Sequence, residues 1–291
     1  MTRKEFLSLF AVSPLFAQMT LQDLHRTSLN LPNTPLIPLL FVGHGSPMNA
    51  IEKNEFSLEW KKIAEQLPKP NAILCVSAHW ETKGTQVTAM EKPKTIHDFG
   101  GFPKALFDVQ YPAPGNPTIA EEVKNLVLPT AVELDHQWGL DHGCWSVISV
   151  MYPNADIPVL QLSLDYTKDA NYHFQLAKQL QSLRKKGVLI IGSGNMVHNL
   201  RILDWKNPNG AYDWAIEANE GLKNMIIHEE FTQLCRAETL SKSYQLAIPT
   251  PDHYHPMMYV LGLKNKEENL SFFNDKTVMG SISMTSFVVG V

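Results

Sequence analysis

Continuous apolar segments alternate along the chain with segments whose apolar residues recur every three or four positions. The continuous segments lie at residues 36–42, 72–76, 157–164 and 188–191. A strand that is apolar on both faces is typical of a sheet covered by helices on both sides. These segments therefore predict four buried strands of a largely parallel or mixed central sheet.

The periodic segments predict helices at residues 57–67, 118–126, 169–186 and 212–231, and a further helix near Pro256. Asp169 is a predicted N-cap, and Gly187 follows a last turn rich in lysine and arginine. Strands that alternate with helices predict an α/β fold. We expect a single-domain sandwich in which helices flank the sheet.

Residues 90–115 break this alternation. The segment is dense in proline, glycine and aromatic residues. Loops of this length in compact domains are usually functional or disordered, and the aromatic residues argue against disorder. We therefore predict an ordered loop at residues 90–115 and call it the aromatic loop.

We place the domain at residues 35–291 and treat residues 1–34 as an N-terminal extension. Arg3 and Lys4 precede an apolar stretch, so residues 1–17 have the layout of a short secretion signal. The stretch is too short to span a bilayer. We expect a cytoplasmic protein, with export to the periplasm through residues 1–17 as the alternative.

Composition narrows the functional classes. The 291 residues are 44% hydrophobic and 19% charged, with a formal net charge of −4, which is typical of a globular protein. Without a basic run, the chain offers no electrostatic basis for binding nucleic acid or an anionic membrane. Cys75, Cys144 and Cys235 are widely spaced, so we interpret them as packing residues. The oligomeric state is left open.

Three of the eleven histidines follow predicted strands. His44 comes after the first strand, His79 after the second and His198 after the strand at 188–191. The carboxyl ends of parallel strands meet at one edge of the sheet, where ligands bind in open α/β folds. The three imidazoles are therefore predicted to converge on a metal or catalytic site.

Other histidines are placed less clearly by the sequence. His253 follows Asp252, a possible hydrogen-bond acceptor for its ring, and at most one of His253 and His255 need face the site. His142 follows Asp141 and is a candidate acid or base, while His97 lies in the aromatic loop. We interpret the remaining four as surface or packing residues: His25, His136, His173 and His228.

Seven motifs occur in an order that identifies a resemblance. They are GHGSPM, SAHW, TIHDFGGFP, YPAPG, WGLDHG, GSGNMVHNL and PTPDHY. The chain resembles the 4,5-DOPA extradiol dioxygenase family, within the class III, LigB-like ring-cleavage dioxygenases. The similarity runs from about residue 35 to the C-terminus.

The resemblance implies a non-haem Fe(II) enzyme that uses O2 to open a catechol ring, such as that of DOPA, beside its two hydroxyls. It implies that His44, His79 and His253 ligate the metal and that His198 is a fourth ligand or the base. His142 resembles a second active-site histidine near the ring hydroxyls or oxygen. We expect His97 and Phe99 to contact the substrate.

The expected ligand set also leaves two other functions open. The wider class has a carboxylate as third ligand, whereas His253 stands there in this sequence, and an all-histidine set also suits Zn(II). One alternative is thus a zinc-dependent hydrolase that activates water at the same histidines. The other alternative is a non-catalytic LigB-like binding protein.

Overall fold

The computed structural model describes residues 33–291. The predicted signal-like segment 1–17, residues 1–32 of the predicted extension and His25 lie outside this part of the chain. Among residues 33–291, no helix has both the length and the apolarity that a membrane span requires.

An eight-stranded mixed sheet organises the described residues, in the order β4-β3-β5-β2-β6-β1-β10-β7. A separate two-stranded ribbon pairs β8 with β9. The strands are β1 (Leu39–Gly43), β2 (Ala72–Thr82), β3 (Thr85–Thr88), β4 (Val132–Asp135), β5 (Val159–Asp165), β6 (Val188–Gly194), β7 (Leu270–Phe273), β8 (Thr277–Val278), β9 (Ile282–Ser283) and β10 (Ser286–Val289).

The four strands predicted from apolar segments are the parallel centre of this sheet, in the order β5-β2-β6-β1. Antiparallel neighbours β3 and β10 flank them. The predicted fold class, an α/β sandwich around a mixed sheet, is confirmed. The outer strands escaped prediction because they are at most four residues long, too short for a periodic pattern.

Ten α-helices lie among residues 33–291, and several of them pack on the sheet. They are α1 (Glu55–Gln66), α2 (Lys104–Phe107), α3 (Pro117–Leu126), α4 (His142–Met151), α5 (Ala170–Lys178), α6 (Gln181–Arg184), α7 (Asp213–Ile227), α8 (Phe231–Leu234), α9 (Lys242–Ala247) and α10 (His255–Leu263). Three short 3-10 helices add to these: Pro47–Ala50, Leu200–Ile202 and Ala237–Thr239.

Two predicted helices are shorter than expected. The segment 169–186 divides into α5 and α6, because Gln179 and Leu180 donate to carbonyls three residues back and tighten the turn. The segment 212–231 ends as a helix at Ile227, and Glu229 takes a left-handed conformation with a φ of 55°. Left-handed backbone cannot continue a right-handed helix, so α8 starts separately.

Each face of the sheet carries its own hydrophobic core. Leu39 and Phe41 of β1 point into one core, and Leu40 and Val42 point into the other. This explains why the central strands are continuously apolar. Cys75 and Cys144 are buried as predicted, whereas Cys235 is half-buried.

The prediction that β2 ends before His79 is wrong. The strand runs on to Thr82, but its pairing with β5 shifts register between Val76 and Glu81, and its pairing with β6 stops at Ser77. The bulged residues leave the regular ladder, as β-bulges next to functional sites often do. His79 therefore lies in an irregular part of the strand at the rim of the sheet.

Candidate metal centre

Five histidines meet at the carboxyl ends of β1, β2 and β6, and we name this group the histidine centre. Its members are His44, His79, His142, His198 and His253. His44 follows β1 directly, and its backbone N–H donates to Gly194 at the end of β6, 3.1 Å away. The convergence of His44, His79 and His198 that the strand order predicted is thus present.

The segment before α10 brings His253 over the end of β6. The Asn195 N–H donates to the His253 carbonyl at 2.8 Å, and a Cβ on Gly194 would lie only 2.1 Å from that oxygen. Only glycine permits this close approach. The His198 ring then stacks on the His253 ring, with centroids 3.4 Å apart.

Possible ligand atoms form two groups, and within each group they lie within 4.8 Å of one another. One group consists of His44, His79 and His142, and the other of His198, Asp252 and His253. The Nε2 atoms of His44 and His79 are 3.2 Å apart. Two nitrogens that share a metal at about 2.1 Å lie roughly 3.0–3.4 Å apart. The His253 ring centroid is 5.2 Å from that of His44 and 4.9 Å from that of His79.

In two of these rings, a protein oxygen lies next to Nδ1, which we call the outer nitrogen. Ser193 donates its hydroxyl proton to the Gly143 carbonyl, so its oxygen is left to accept from His44 Nδ1, 3.1 Å away. Asp252 Oδ2 lies 2.5 Å from His253 Nδ1. Such contacts fix the tautomer and leave Nε2 free for a metal. The expectation that Asp252 orients His253 is confirmed.

A third acceptor, Asp98, was missed by the sequence analysis. Its Oδ2 lies 3.0 Å from His142 Nδ1 and 3.5 Å from His79 Nδ1, and its Oδ1 accepts the His142 backbone N–H at 2.9 Å. The contact with His142 Nδ1 is close but not aligned for a linear hydrogen bond. Asp98 follows His97 in the aromatic loop. The sequence analysis named His97 and Phe99 of this motif as site residues but not Asp98.

His142 is the first residue of helix α4, which the sequence analysis did not predict. Asp141 is the N-cap, and its buried carboxylate accepts from the Cys144 N–H, from Ser77 Oγ at 2.6 Å and from Gln161 Nε2 at 2.6 Å. An N-cap aspartate satisfies backbone donors of the first turn. The helix start, and with it His142, is therefore fixed from three sides.

Burial keeps three of these imidazoles neutral: His44, His79 and His198. Burial lowers the pKa of His44 well below its ordinary value, and repulsion from His79 adds to the shift. The pKa of His79 is lowered in the same way, first by burial and then by His142. Burial, followed by His253, lowers the pKa of His198 to about 2. Neutral imidazole is the form that binds metals.

Two carboxylates beside the rings are ionised. Burial opposes the charge of Asp252, but the hydrogen bond from His253 outweighs it and lowers the pKa of this carboxyl below its usual range. Burial likewise works against the charge of Asp98, and the contact with His142 reverses the effect and lowers the pKa. Ionised carboxylates therefore lie behind the rings of His79, His142 and His253.

The aromatic loop forms one wall of the site. The ring of Phe99 meets His142 edge-on at a centroid distance of 5.5 Å. His97 lies behind Phe99, packs against Trp145 and has Nε2 3.0 Å from the Val109 carbonyl. The structure thus brings Phe99 to the histidine centre and places His97 one layer further back.

The donor set fits a divalent transition metal. In His44, His79 and His253, a serine or carboxylate oxygen lies behind each Nδ1. Imidazole ligands suit iron as well as zinc. Their outer-nitrogen partners are those that metal-ligating histidines usually have.

Residues 35–290 match the family described as the catalytic LigB subunit of aromatic ring-opening dioxygenase. The chain belongs to the LigB family. The 4,5-DOPA dioxygenase extradiol of Escherichia coli (strain K12) is 47% identical over 257 residues, which cover 87% of this chain and 95% of that protein. The Beta vulgaris protein of the same name is 34% identical over 255 residues, 85% of this chain and 94% of the relative.

A solved structure agrees with this LigB assignment. The crystal structure of an uncharacterized protein from Escherichia coli K12 superposes with a TM-score of 0.76 at 41% sequence identity, covering 87% of this chain and 100% of that one. LigB-family proteins are extradiol ring-cleavage dioxygenases, so the predicted family and enzyme class are confirmed. The zinc hydrolase and the non-catalytic binding protein find no support among these relatives.

The other histidines of this LigB-family chain lie away from the centre. His173 and His255 stack on each other, with centroids 4.5 Å apart, behind the site. The expectation that at most one of His253 and His255 faces the site is therefore confirmed. His173 is fully buried, in line with its interpretation as a packing residue, and His136 and His228 are exposed.

Proposed function

We propose that this protein is a non-haem Fe(II) dioxygenase that opens the ring of a catechol, such as DOPA, beside its hydroxyls with O2. The observation that carries the proposal is the convergence of three histidines, each with its Nδ1 facing an oxygen of the protein. The relatives named 4,5-DOPA dioxygenase support the substrate class. The physiological catechol is not specified by these names.

In this proposal His44, His79 and His253 hold the metal. Bound Fe(II) supplies redox chemistry and open coordination positions, which Zn(II), having a single oxidation state, does not. The proximity of the His44 and His79 Nε2 atoms, 3.2 Å, supports a shared ion. The third ligand comes from the second group of nitrogens, where Asp252 orients His253.

His198 is our candidate for the base that takes a proton from a catechol hydroxyl. Burial lowers its pKa to about 2, so the ring is neutral at pH 7 and has a lone pair to offer, although the low pKa makes it a weaker base than an ordinary imidazole. Its parallel stack on His253 places it beside a proposed ligand. We prefer this role to that of a fourth ligand, because the His198 ring stacks on His253, whereas the His253 ring itself lies 5.2 Å from the ring of His44 and 4.9 Å from that of His79.

His142 is the second proposed catalytic histidine. Its backbone and its Nδ1 both face Asp98, so Nε2 is the nitrogen left to hold or deliver a proton at the reacting ring. Phe99 lies edge-on to His142 and is the proposed wall for the catechol. His97 would then support Phe99 from behind rather than contact the substrate first.

The deciding experiment loads the metal-free protein with Fe(II) under anaerobic conditions and adds DOPA or a simpler catechol, followed by O2. We expect stoichiometric oxygen uptake and a yellow ring-opened product that absorbs visible light. The same protein loaded with Zn(II) is the matched control and should consume no oxygen. Absence of uptake with every catechol, despite a full iron site, would overturn the proposal.

A further inference from the structure

We propose that Asp98 is a positioning residue that holds His79 and His142 in the Nδ1–H tautomer and so keeps both Nε2 atoms available to the histidine centre. The inference rests on the proposed function, since His79 is a ligand and His142 a catalytic residue only there. The sequence analysis assigned no role to Asp98.

One carboxylate oxygen faces both rings. Asp98 Oδ2 is 3.0 Å from Nδ1 of His142 and 3.5 Å from Nδ1 of His79, and the two ring centroids are 3.8 Å apart. If either Nδ1 lacked a proton, its lone pair would face a carboxylate oxygen, and the two would repel. A proton on each Nδ1 turns both contacts into attractions. The two tautomers are therefore set by a single side chain.

The rings of His44 and His253 are held by other side chains. Ser193 serves His44, and Asp252 serves His253. Removing the Asp98 carboxylate should consequently disturb two of the four rings and leave the other two unchanged. This selective pattern separates a positioning role from a general loss of structure.

The position of Asp98 is fixed by the backbone around it. Ile96 donates to the Leu140 carbonyl at 2.7 Å, and Leu140 donates to the Lys94 carbonyl at 2.8 Å. The Trp145 indole N–H binds the Ile96 carbonyl at 2.8 Å. The aromatic loop is thereby tied to the residues on both sides of His142. The loop that carries the proposed substrate wall, Phe99, also carries the carboxylate behind two histidines.

The first test needs no variant. Nitrogen-15 NMR of the metal-free protein reports which nitrogen of each histidine carries the proton, and His79→Gln and His142→Gln assign the signals. We expect both rings as Nδ1–H tautomers. An Nε2–H tautomer for either ring in the folded protein would refute the proposal.

The second test compares Asp98→Asn with Asp108→Asn, an exposed carboxylate of the same loop segment that pairs with Lys104. Chelator competition measures the affinity of the metal-free proteins for Zn(II), and thermal unfolding checks the fold. We expect Asp98→Asn to weaken Zn(II) binding by about 10–100-fold, as loss of an outer partner does, and to change the NMR signals of His79 and His142 only. Asp108→Asn should change neither.

Unchanged Zn(II) affinity and unchanged tautomers in folded Asp98→Asn would overturn the proposal. An equal disturbance of His44 and His253 would do the same, because it would indicate a general structural role. If Asp98→Asn does not fold, the NMR result on the unaltered protein decides. None of these measurements uses oxygen or catechol, so a failure here is distinct from a failure of the proposed dioxygenase activity.

Discussion

Two groups of histidines meet at the segment 253–255, one containing His253 and the other His255, and they differ in how many rings converge and in which side chains lie behind them. In the histidine centre, Nδ1 of His44 and of His253 has a protein oxygen as partner. In the pair behind it, His173 and His255 stack, and His173 Nδ1 lies 3.1 Å from the Tyr259 hydroxyl.

The stacked pair is neutral, as His44, His79 and His198 are, because burial lowers the pKa of His173 to about 3 and that of His255 to about 4. Burial and a depressed pKa therefore do not by themselves identify a functional histidine. What distinguishes the centre is the convergence of five rings at the rim of the sheet, with the carboxylates of Asp98 and Asp252 behind three of them. The stacked pair fills space between α5 and α10, and its rings approach no third histidine at that distance within residues 33–291.

The largest expected effect comes from His44→Ala. Loss of this ligand should lower metal affinity by more than about 100-fold, beyond what loss of an outer partner costs, and remove oxygen uptake. The protein should remain folded, because the two hydrophobic cores do not depend on the metal. Metal analysis and thermal unfolding check the two halves of this expectation. A collapsed melting temperature would show that the centre is structural.

His198→Gln should have the next largest effect. If the ring accepts a catechol proton, ring opening slows by about 10²–10⁴-fold while substrate binding persists. Single-turnover kinetics with the iron-loaded variant separates the two quantities. Unchanged turnover would rule out the base role, and loss of metal would instead make His198 a ligand.

Asp252→Asn tests the anchors of the centre. The substitution keeps the size of the side chain but removes the charge 2.5 Å from His253 Nδ1. We expect metal affinity to fall by about 10–100-fold, with the rest of the fold intact. Chelator competition measures the change, and an affinity equal to that of the unaltered protein would show that His253 needs no anchor.

The smallest effect on activity is expected for His173→Gln, which should leave turnover at neutral pH unchanged. Its effect appears in the dependence of stability on pH. Below about pH 6.5 the unfolded chain protonates this histidine, whereas the folded protein keeps it neutral down to about pH 3. The unfolded state then binds the extra proton, so acid destabilises the folded state.

Between pH 6 and 4, His173 should contribute up to about 1.4 kcal/mol of lost stability for each pH unit. His173→Gln should therefore flatten the pH dependence of the unfolding free energy of the metal-free protein, measured with urea. His228→Gln, which removes an exposed histidine, is the matched control. An identical slope in His173→Gln and the unaltered protein would contradict the low pKa of His173.

Much of the site was accessible from local sequence. His44 stands directly after an apolar strand, and parallel strands deliver their carboxyl ends to one edge, so the rim position followed from pattern alone. The same reasoning placed the end of β2 too early. The strand continues through a β-bulge, which is defined by pairing with neighbouring strands and not by a continuous apolar segment of the sequence. Helix α4 was missed for a similar reason, since its buried first turn shows little amphipathic contrast.

The sequence by itself determined the α/β class, the buried central strands, the family and the histidines that reach the rim, because these depend on short-range periodicity and on contiguous motifs. Asp252 adjoins His253 in the sequence, but only the tertiary structure decided which oxygens face the rings of His44, His79 and His142. Ser193 contacts His44 from 149 residues away in the sequence. Asp98 contacts His142 from 44 residues away. A tautomer is fixed by such a neighbour in space, and no local pattern records it.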